Sequence, residues 1–301
     1  GDFEYSPRVD QKNFIPGAPP LLFDHRTAWQ LAAYGQGEFH LLSKLTLTAG
    51  GRLDWFDAYG SALSPRVAVI YSATSRTTLK YIFGRAFRAP NAYESYFSDG
   101  VSQELALVPL KPENIRSNEI VVEHELTPWL LITADGFYNN LTRLIDEHPN
   151  PSTGLSYFQN RGTDQGRGVE FEVEAKRSSG LAGRASYTLA DAQDEIQRTG
   201  LANSPLHIAK LNGTVPFRSY VFAGLELLYT GAQQSYRDTR VPSSLLTNLT
   251  FSTKTLWDAW DFSSSCYNLL GRRLYSPPGP ELREALIPQD GRTFRFKISY
   301  Q

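Results

Sequence analysis

The chain has 301 residues, 13% of them aromatic, a formal net charge of −1 at pH 7 and a single cysteine, Cys266. That length admits two ordinary domains or one large β-structure, the near-neutral charge leaves no footprint for nucleic acid, and one cysteine closes no disulfide within the chain. A mean hydropathy of −0.35, with no apolar run near the ~20 residues of a spanning helix, excludes a helical membrane protein. The sequence opens at Gly1 with no Met and no charged-then-apolar leader, so it reads as a mature or excerpted fragment whose export is encoded elsewhere.

The predicted elements are strands, and the clearest runs from Lys44 to Trp55. Leu45, Leu47, Ala49, Gly51, Leu53 and Trp55 alternate there with Lys44, Thr46, Thr48, Gly50, Arg52 and Asp54, the period of a strand with one apolar and one wet face. In chain order, Trp29–Leu41 is predicted to pair with Lys44–Phe56, Pro65–Ser72 with Thr78–Phe87, and Glu119–Leu126 with Leu130–Asn139. Val169–Lys176 then pairs with Leu181–Leu189, Ile208–Val215 with Tyr220–Thr230, and Leu245–Phe251 with Trp260–Leu270, before Thr293–Tyr300 closes the chain. These make about thirteen strands, with no helical period and no break in composition that would mark a second domain.

The links within these pairs are short. The remaining links, about Arg88 to Arg116, Ile145 to Leu155, Asp191 to His207 and Tyr275 to Gly291, are long and rich in Pro, Gly, Asn and Ser. Such sorting of loops by length has no cause in a soluble sandwich, whereas outer-membrane barrels keep short turns on the periplasmic side and long loops outside. Tyr and Trp at the ends of apolar runs (Trp55, Tyr71, Tyr229, Tyr300) suit a membrane interface. The predicted fold is therefore all-β, an antiparallel up-and-down transmembrane β-barrel over 1–301. Leu47, Leu53, Val169, Phe171, Leu225, Leu227, Phe294 and Phe296 are expected to face lipid. Arg52, Asp54, Glu123, Asp135, Glu170, Glu172, Glu226, Arg295 and Lys297 are expected to face the lumen, because a charge on the lipid face costs roughly 2–4 kcal/mol near the midplane.

Several stretches resemble a known family: FGRAFRAPNAYESYF (Phe83–Phe97), LKPENIRSNEIVVEHEL (Leu110–Leu126), NRGTDQGRGVEFEVEA (Asn160–Ala175), SPLHIAKLN (Ser204–Asn212) and the run Tyr267–Tyr300. In this order they are similar to TonB-dependent outer-membrane receptors, from about Arg26 onward. The resemblance implies a barrel of about 22 strands with a plugged lumen, of which this chain would be the C-terminal part. It also implies a plug domain and a periplasmic energy-coupling box, neither of which lies in this sequence. The implied activity is energy-coupled uptake of a scarce solute such as a ferric siderophore, and a passive pore or surface-interaction barrel without coupling is the alternative reading. The implied partners are the plug, an inner-membrane energy-coupling complex, the lipid bilayer with lipopolysaccharide, and a small solute such as an iron chelate, with no nucleic acid. Two features depart from the family pattern. Gly37 stands in the strand of Tyr34, Gln36 and Glu38 where an acid is frequent, and the chain ends Tyr300-Gln301 in place of a terminal aromatic.

Enzymatic chemistry finds no support in the sequence. His25, His40, His124, His148 and His207 are scattered without zinc-ligand spacing, and there is no Gly-x-Ser-x-Gly elbow, so neither a metal nor a cofactor is expected. Glu170, Glu172 and Glu174 share a face and read as solvated lumen carboxylates. Arg52, Asp54, Glu123, Asp135, Glu170 and Glu172 are expected to seat the plug. The loop after Arg88 carries Tyr93, Tyr96 and Phe97 beside polar groups, and the loop Tyr275–Gly291 carries Glu281 and Arg283. These five residues are the expected ligand contacts, since aromatic faces bury much area at low entropic cost.

Overall fold

In the computed structural model the chain is described at all residues except 13–15, 18–22, 100, 219, 255–258, 280–281 and 301, and the side chains of 9–12, 23–24 and 218 are also left aside. The long strands are β1 (Asp2–Lys12), β2 (Phe23–Leu42), β3 (Leu45–Phe56), β4 (Gly60–Ser72), β5 (Thr77–Arg88), β6 (Glu113–Thr127), β7 (Leu130–Pro149), β8 (Ser156–Lys176) and β9 (Ala182–Asp194). The short β10 (Thr199–Gly200) precedes β11 (His207–Arg218) and β12 (Val221–Thr230). A loop hairpin of β13 (Gln233–Gln234) and β14 (Arg240–Val241) leads to β15 (Ser244–Thr253) and β16 (Trp260–Tyr267). A second loop hairpin, β17 (Tyr275–Ser276) with β18 (Ile287–Pro288), precedes β19 (Thr293–Tyr300). The one helix among the described residues is α1 (Ala92–Tyr96), between β5 and β6.

Apart from the short strands, each strand pairs antiparallel with its neighbours in chain order, giving one sheet with β1 and β19 at its two ends. This is the up-and-down meander that the alternation predicts. It has one more long strand than the sequence count, because β1 is interrupted by a register shift between Ser6 and Val9, where Pro7 removes a ladder donor.

The register carries the two faces across the whole sheet, since residues directly opposite project to the same side. Leu47 pairs with Val69, Val69 with Tyr81, Tyr81 with Ile120, Ile120 with Gly136 and Gly136 with Val169. A polar row runs from Thr78 through Glu123, Thr133, Glu172 and Ser186 to Lys210. The same bookkeeping sets Leu53, Phe171, Leu225, Leu227, Phe294 and Phe296 on the apolar side. It sets Arg52, Asp54, Asp135, Glu170, Glu226, Arg295 and Lys297 on the polar side. The apolar side is left open: Phe171 is 55% exposed and Phe296 76% exposed. An apolar face this broad and uncovered needs an apolar solvent.

The turns at one end of the strands are tight, such as Ser43-Lys44, Pro128-Trp129 and the Gly180 turn between β8 and β9, where φ is +90°. At the other end the links vary. Residues 89–112 and 268–292 are long, whereas Asp57–Tyr59 is short. The segment 145–155, read from sequence as a loop, is strand as far as Pro149. β7 and β8 pair as far as Pro149 and Ser156, leaving a turn over Asn150–Leu155. Both strands thus run well past the roughly 9–11 residues that span a membrane, and their upper halves stand clear of the apolar band that ends at Val169.

Candidate functional site

At the end of β5, Arg88 faces Glu113 of β6 and forks onto it, Nε to Oε2 at 2.6 Å and Nη2 to Oε1 at 2.6 Å, while Nη1 reaches Glu94 at 2.9 Å. The Ile145 backbone N–H also donates to Glu113, at 2.8 Å. Burial pushes the Glu113 carboxyl up, but the guanidinium and this N–H outweigh it and hold the group below its ordinary value. The two ends of loop 89–112 are therefore clamped together by a bidentate pair.

Just beyond, Asn91 caps α1. Its side chain accepts from the Glu94 N–H at 2.8 Å and the Glu94 carboxylate accepts from the Asn91 N–H at 2.9 Å, a reciprocal capping box. The sequence signal for this helix was Asn-x-x-Glu alone, because five residues are too few to show a period.

The three loop aromatics do different things. Phe97 is 8% exposed and stacks under Tyr93 with centroids 4.5 Å apart. Tyr93 is 45% exposed, meets the edge of Phe158 at 5.9 Å and donates its hydroxyl to Gln103 Oε1 at 3.1 Å. Burial pushes the Tyr93 phenol up, with Glu147 and Asp99 adding to it. Tyr96 lies under the Arg26 guanidinium of β2, 3.3 Å from the ring centroid, a cation–π contact.

On the other flank the loop is tied to the β7–β8 hairpin. Gln103 bridges Ser156 in parallel, the Ser156 N–H donates to Ser102 O at 2.9 Å and the Glu104 N–H to Ser156 O at 2.9 Å. Asn160 and Lys111 exchange two bonds of 2.7 Å. Inside the loop, Asp99 accepts from the N–H groups of Val101, Ser102 and Gln103 at 2.7–2.9 Å and from the Ser102 hydroxyl. The hydroxyl and these N–H groups hold its carboxyl well below the usual carboxylate range. The loop is a strap from β2 to β8 that offers one half-exposed ring, Tyr93, on a fixed base.

The polar face below is paired in part. Asp54, 1% exposed, accepts from Arg52 Nε at 2.9 Å and Gln30 Nε2 at 3.0 Å, and Arg52 reaches Asp2 at 2.9 Å. A carboxylate this buried is tolerated only with such donors. Lys80 meets Glu123 at 2.5 Å, Thr188 donates to Glu170 at 2.6 Å, and Arg184 sits 3.4 Å from Glu172 and 2.9 Å from Glu174. Asp135 keeps Oδ1 buried with no partner among the described residues.

Of the expected residues in the closing loop, Arg283 is exposed and Glu281 lies outside the described residues. Sequence reasoning missed Asn268, which is 2% exposed with φ +49°. Its N–H donates to Asn248 Oδ1 at 3.0 Å, its Nδ2 to Arg272 O at 2.8 Å and to Asp290 O at 3.3 Å, and its Oδ1 accepts from the Arg272 N–H at 3.1 Å. The available signal was Asn-x-x-Gly, a turn pattern with Gly271 also at positive φ. Asn268 helps line a cleft of about 470 Å³ with Leu228, Gln233, Asn248, Tyr275 and Gln289. Among the described residues no group of three or more His, Cys, Asp or Glu is placed to hold a metal ion.

The family model for TonB dependent receptor-like β-barrels matches residues 1–269. The chain belongs to that family. As a TonB-dependent receptor barrel it is an outer-membrane protein, with its apolar face to lipid. It is 26% identical over 262 residues to the vitamin B12 transporter BtuB of Vibrio cholerae serotype O1, covering 85% of this chain and 40% of that protein. In structure it resembles the ferric enterobactin receptor PfeA of Pseudomonas aeruginosa (TM-score 0.78, 17% identity, 98% of this chain and 48% of that one). It is similarly close to the pyoverdine receptor FpvA of P. aeruginosa (0.78, 15%, 94% and 44%). The FrpB iron transporter of Neisseria meningitidis follows (0.72, 16%, 92% and 46%). The TonB-dependent receptor chain thus spans less than half the length of these relatives, and at such identities the structural likeness carries the fold alone.

Proposed function

We propose that this chain forms the C-terminal wall and outer mouth of a receptor that takes up a scarce solute, such as a ferric siderophore, with energy supplied from an inner-membrane complex through a plug domain. On this reading the protein is a transporter and no enzyme. The observation that carries the proposal is the strap over residues 89–112, which fixes the Tyr93 ring above a polar, ion-paired wall. A pre-organised aromatic face loses little entropy when a bulky solute stacks on it. Tyr93 is the contact, while Phe97 and Tyr96 hold it in place. Arg283, with Glu281, offers polar contacts from the closing loop. Arg52, Asp54, Glu123, Asp135, Glu170 and Glu172 seat the plug, and the unpartnered Asp135 oxygen is where a plug donor fits.

The test is uptake of radiolabelled ferric chelates by cells carrying the intact receptor, with and without a protonophore. Saturable uptake abolished by the protonophore and weakened by Tyr93→Ala at normal surface abundance supports the proposal. Uptake that survives the protonophore identifies a passive pore.

A further inference from the structure

The lumen face of the sheet is of two kinds. From β3 to β9 it carries the charged residues assigned above to the plug, among them Glu123, Asp135 and Glu170. From β11 to β16 it is mostly neutral. Asn212, Thr214, Asn248, Thr250, Ser252 and Ser265 all share the side of Glu226 in the ladder register.

The neutral sector is also hollowed. Three recesses of about 490, 270 and 470 Å³ lie along it. They adjoin one another. The lowest shares Asn212 and Glu226 with the middle one, which shares Leu228, Leu246 and Asn248 with the outer cleft beside Asn268. A groove thus runs down the wall from the outer loops to Lys176 and Ala182, beside the tight Gly180 turn. Gly224 sets its depth on β12, since a Cβ added there would meet nothing closer than 3.8 Å. Any larger residue at that position stands in the groove.

The polar groups along this groove are already engaged within the wall. Glu226 accepts from Asn248 at 3.1 Å, the hydroxyls of Thr250 and Ser265 share a bond of 2.8 Å, and Glu174 at the border accepts from Arg184 at 2.9 Å. Hydrogen bonds to ionised groups are about twice as strong as neutral ones, so a plug grips the charged sector and holds the neutral one loosely. A solute in motion needs the reverse of a grip. Hydroxyls, amides and bridging water offer bonds that exchange at little cost. We infer that the solute, on the uptake reading proposed above, descends between plug and wall along the groove of β11 to β15, with Gly224 keeping it open.

The test uses the intact receptor, plug included, in a Cys266→Ala background. Gly224→Cys reports on the groove and Thr133→Cys on the charged wall, where Thr133 stands between Glu123 and Glu172. In the purified receptor a water-soluble maleimide should modify Gly224→Cys about tenfold faster than Thr133→Cys. In cells, Gly224→Trp at normal surface abundance should lower uptake of a radiolabelled ferric chelate about tenfold, while binding of that chelate to the cells stays within about twofold. Gly224→Ala should retain uptake. Equal labelling of the two cysteines, or full uptake through Gly224→Trp, overturns the inference. A fall in binding as large as the fall in uptake also overturns it, since residue 224 would then act on capture. Labelling is read without any solute. Absence of chelate uptake in the unaltered receptor would therefore defeat the uptake reading, and the labelling comparison would still decide whether the groove is open.

Discussion

The two long loops of the outer end are held by opposite means. Loop 89–112 is fixed by many contacts to separate strands: the Arg88 side chain to Glu113, the Tyr96 ring to Arg26, the Lys111 backbone to the Asn160 side chain, and the backbone around Gln103 to that of Ser156. Loop 268–292 hangs chiefly on one buried asparagine and a two-residue hairpin, with further ties among the described residues from Arg237 to Leu282 O at 2.7 Å, from Asn203 Nδ2 to Pro278 O at 3.4 Å and from the Leu269 N–H to Thr247 O at 2.7 Å. Redundant anchoring spreads the load, so no single substitution frees the first loop. A lone buried side chain with few other ties concentrates it.

The largest effect is therefore expected from Asn268→Ala. It removes the donor to the carbonyls of Arg272 and Asp290 in a part-buried setting and loses a residue suited to positive φ, at about 2–4 kcal/mol of local stability. Limited proteolysis within 282–290 should accelerate by more than tenfold, and an unchanged rate would break the comparison. Asn268→Gly is the sharper version, since it restores the backbone freedom but not the bonds and should recover only part of the loss.

Next is Arg88→Ala, which leaves Glu113 half-buried without its cation and costs about 1–3 kcal/mol. Hydrogen exchange should quicken at Asn91–Tyr96 while the Gln103–Glu104 amides stay protected by the hairpin bridge. Loss of protection throughout the loop would show that the anchors act as one. A smaller effect, about 0.5–1 kcal/mol, is expected from Tyr96→Leu, which removes the Arg26 contact together with a side-chain hydrogen bond to Tyr59.

The smallest effect is one of pH. Asp164 stands opposite Asp194 on the upper part of β8. Burial, with Asp194, Asp146 and Glu195 nearby, pushes its carboxyl up to about 6. Burial raises Asp146 as well, with Glu113 and Asp194 adding to it and His148 opposing. A raised acid costs the folded state when ionised, so that cost is complete above pH 6 and disappears as pH falls toward the ordinary carboxylate value near 4. Exchange protection of the upper β7–β8 hairpin should thus rise modestly between pH 7.5 and 5. Asp164→Asn should flatten the change, and a fall in protection over that window would contradict the assignment.

Much of this architecture is readable from residue order, for a physical reason. Where one face meets lipid and the other water, as from Leu45 to Trp55, composition must alternate. Where both faces are wet the pattern fades, and Asn140–Arg143 and Arg161–Gly168, outside the strands predicted from sequence, are strand all the same. The bilayer writes the pattern, and the chain above it carries none.

The site was legible only as residue type. Three aromatics near Arg88 mark the loop, but nothing in the order of residues says that Phe97 lies beneath Tyr93 or that Tyr96 is clasped by a strand some seventy positions earlier. Arg52 and Asp54 were visible as neighbours on one strand face, whereas the Asp2 and Gln30 that complete their set depend on register between strands. Asn268 was hidden because a buried turn asparagine looks like any other.

The β7–β8 hairpin has a mechanical meaning as well. It is a stiff two-stranded beam that outreaches its neighbours, and its tip carries Asn150 and Thr153, both bonded to Glu104. Glu104 is adjacent to Gln103, whose amide holds the Tyr93 hydroxyl. Whatever leans on the tip from the cell exterior is therefore geared to that ring. A body seated on the tip bears on Glu104, one residue from the amide that holds the Tyr93 hydroxyl, even when it never reaches the lumen.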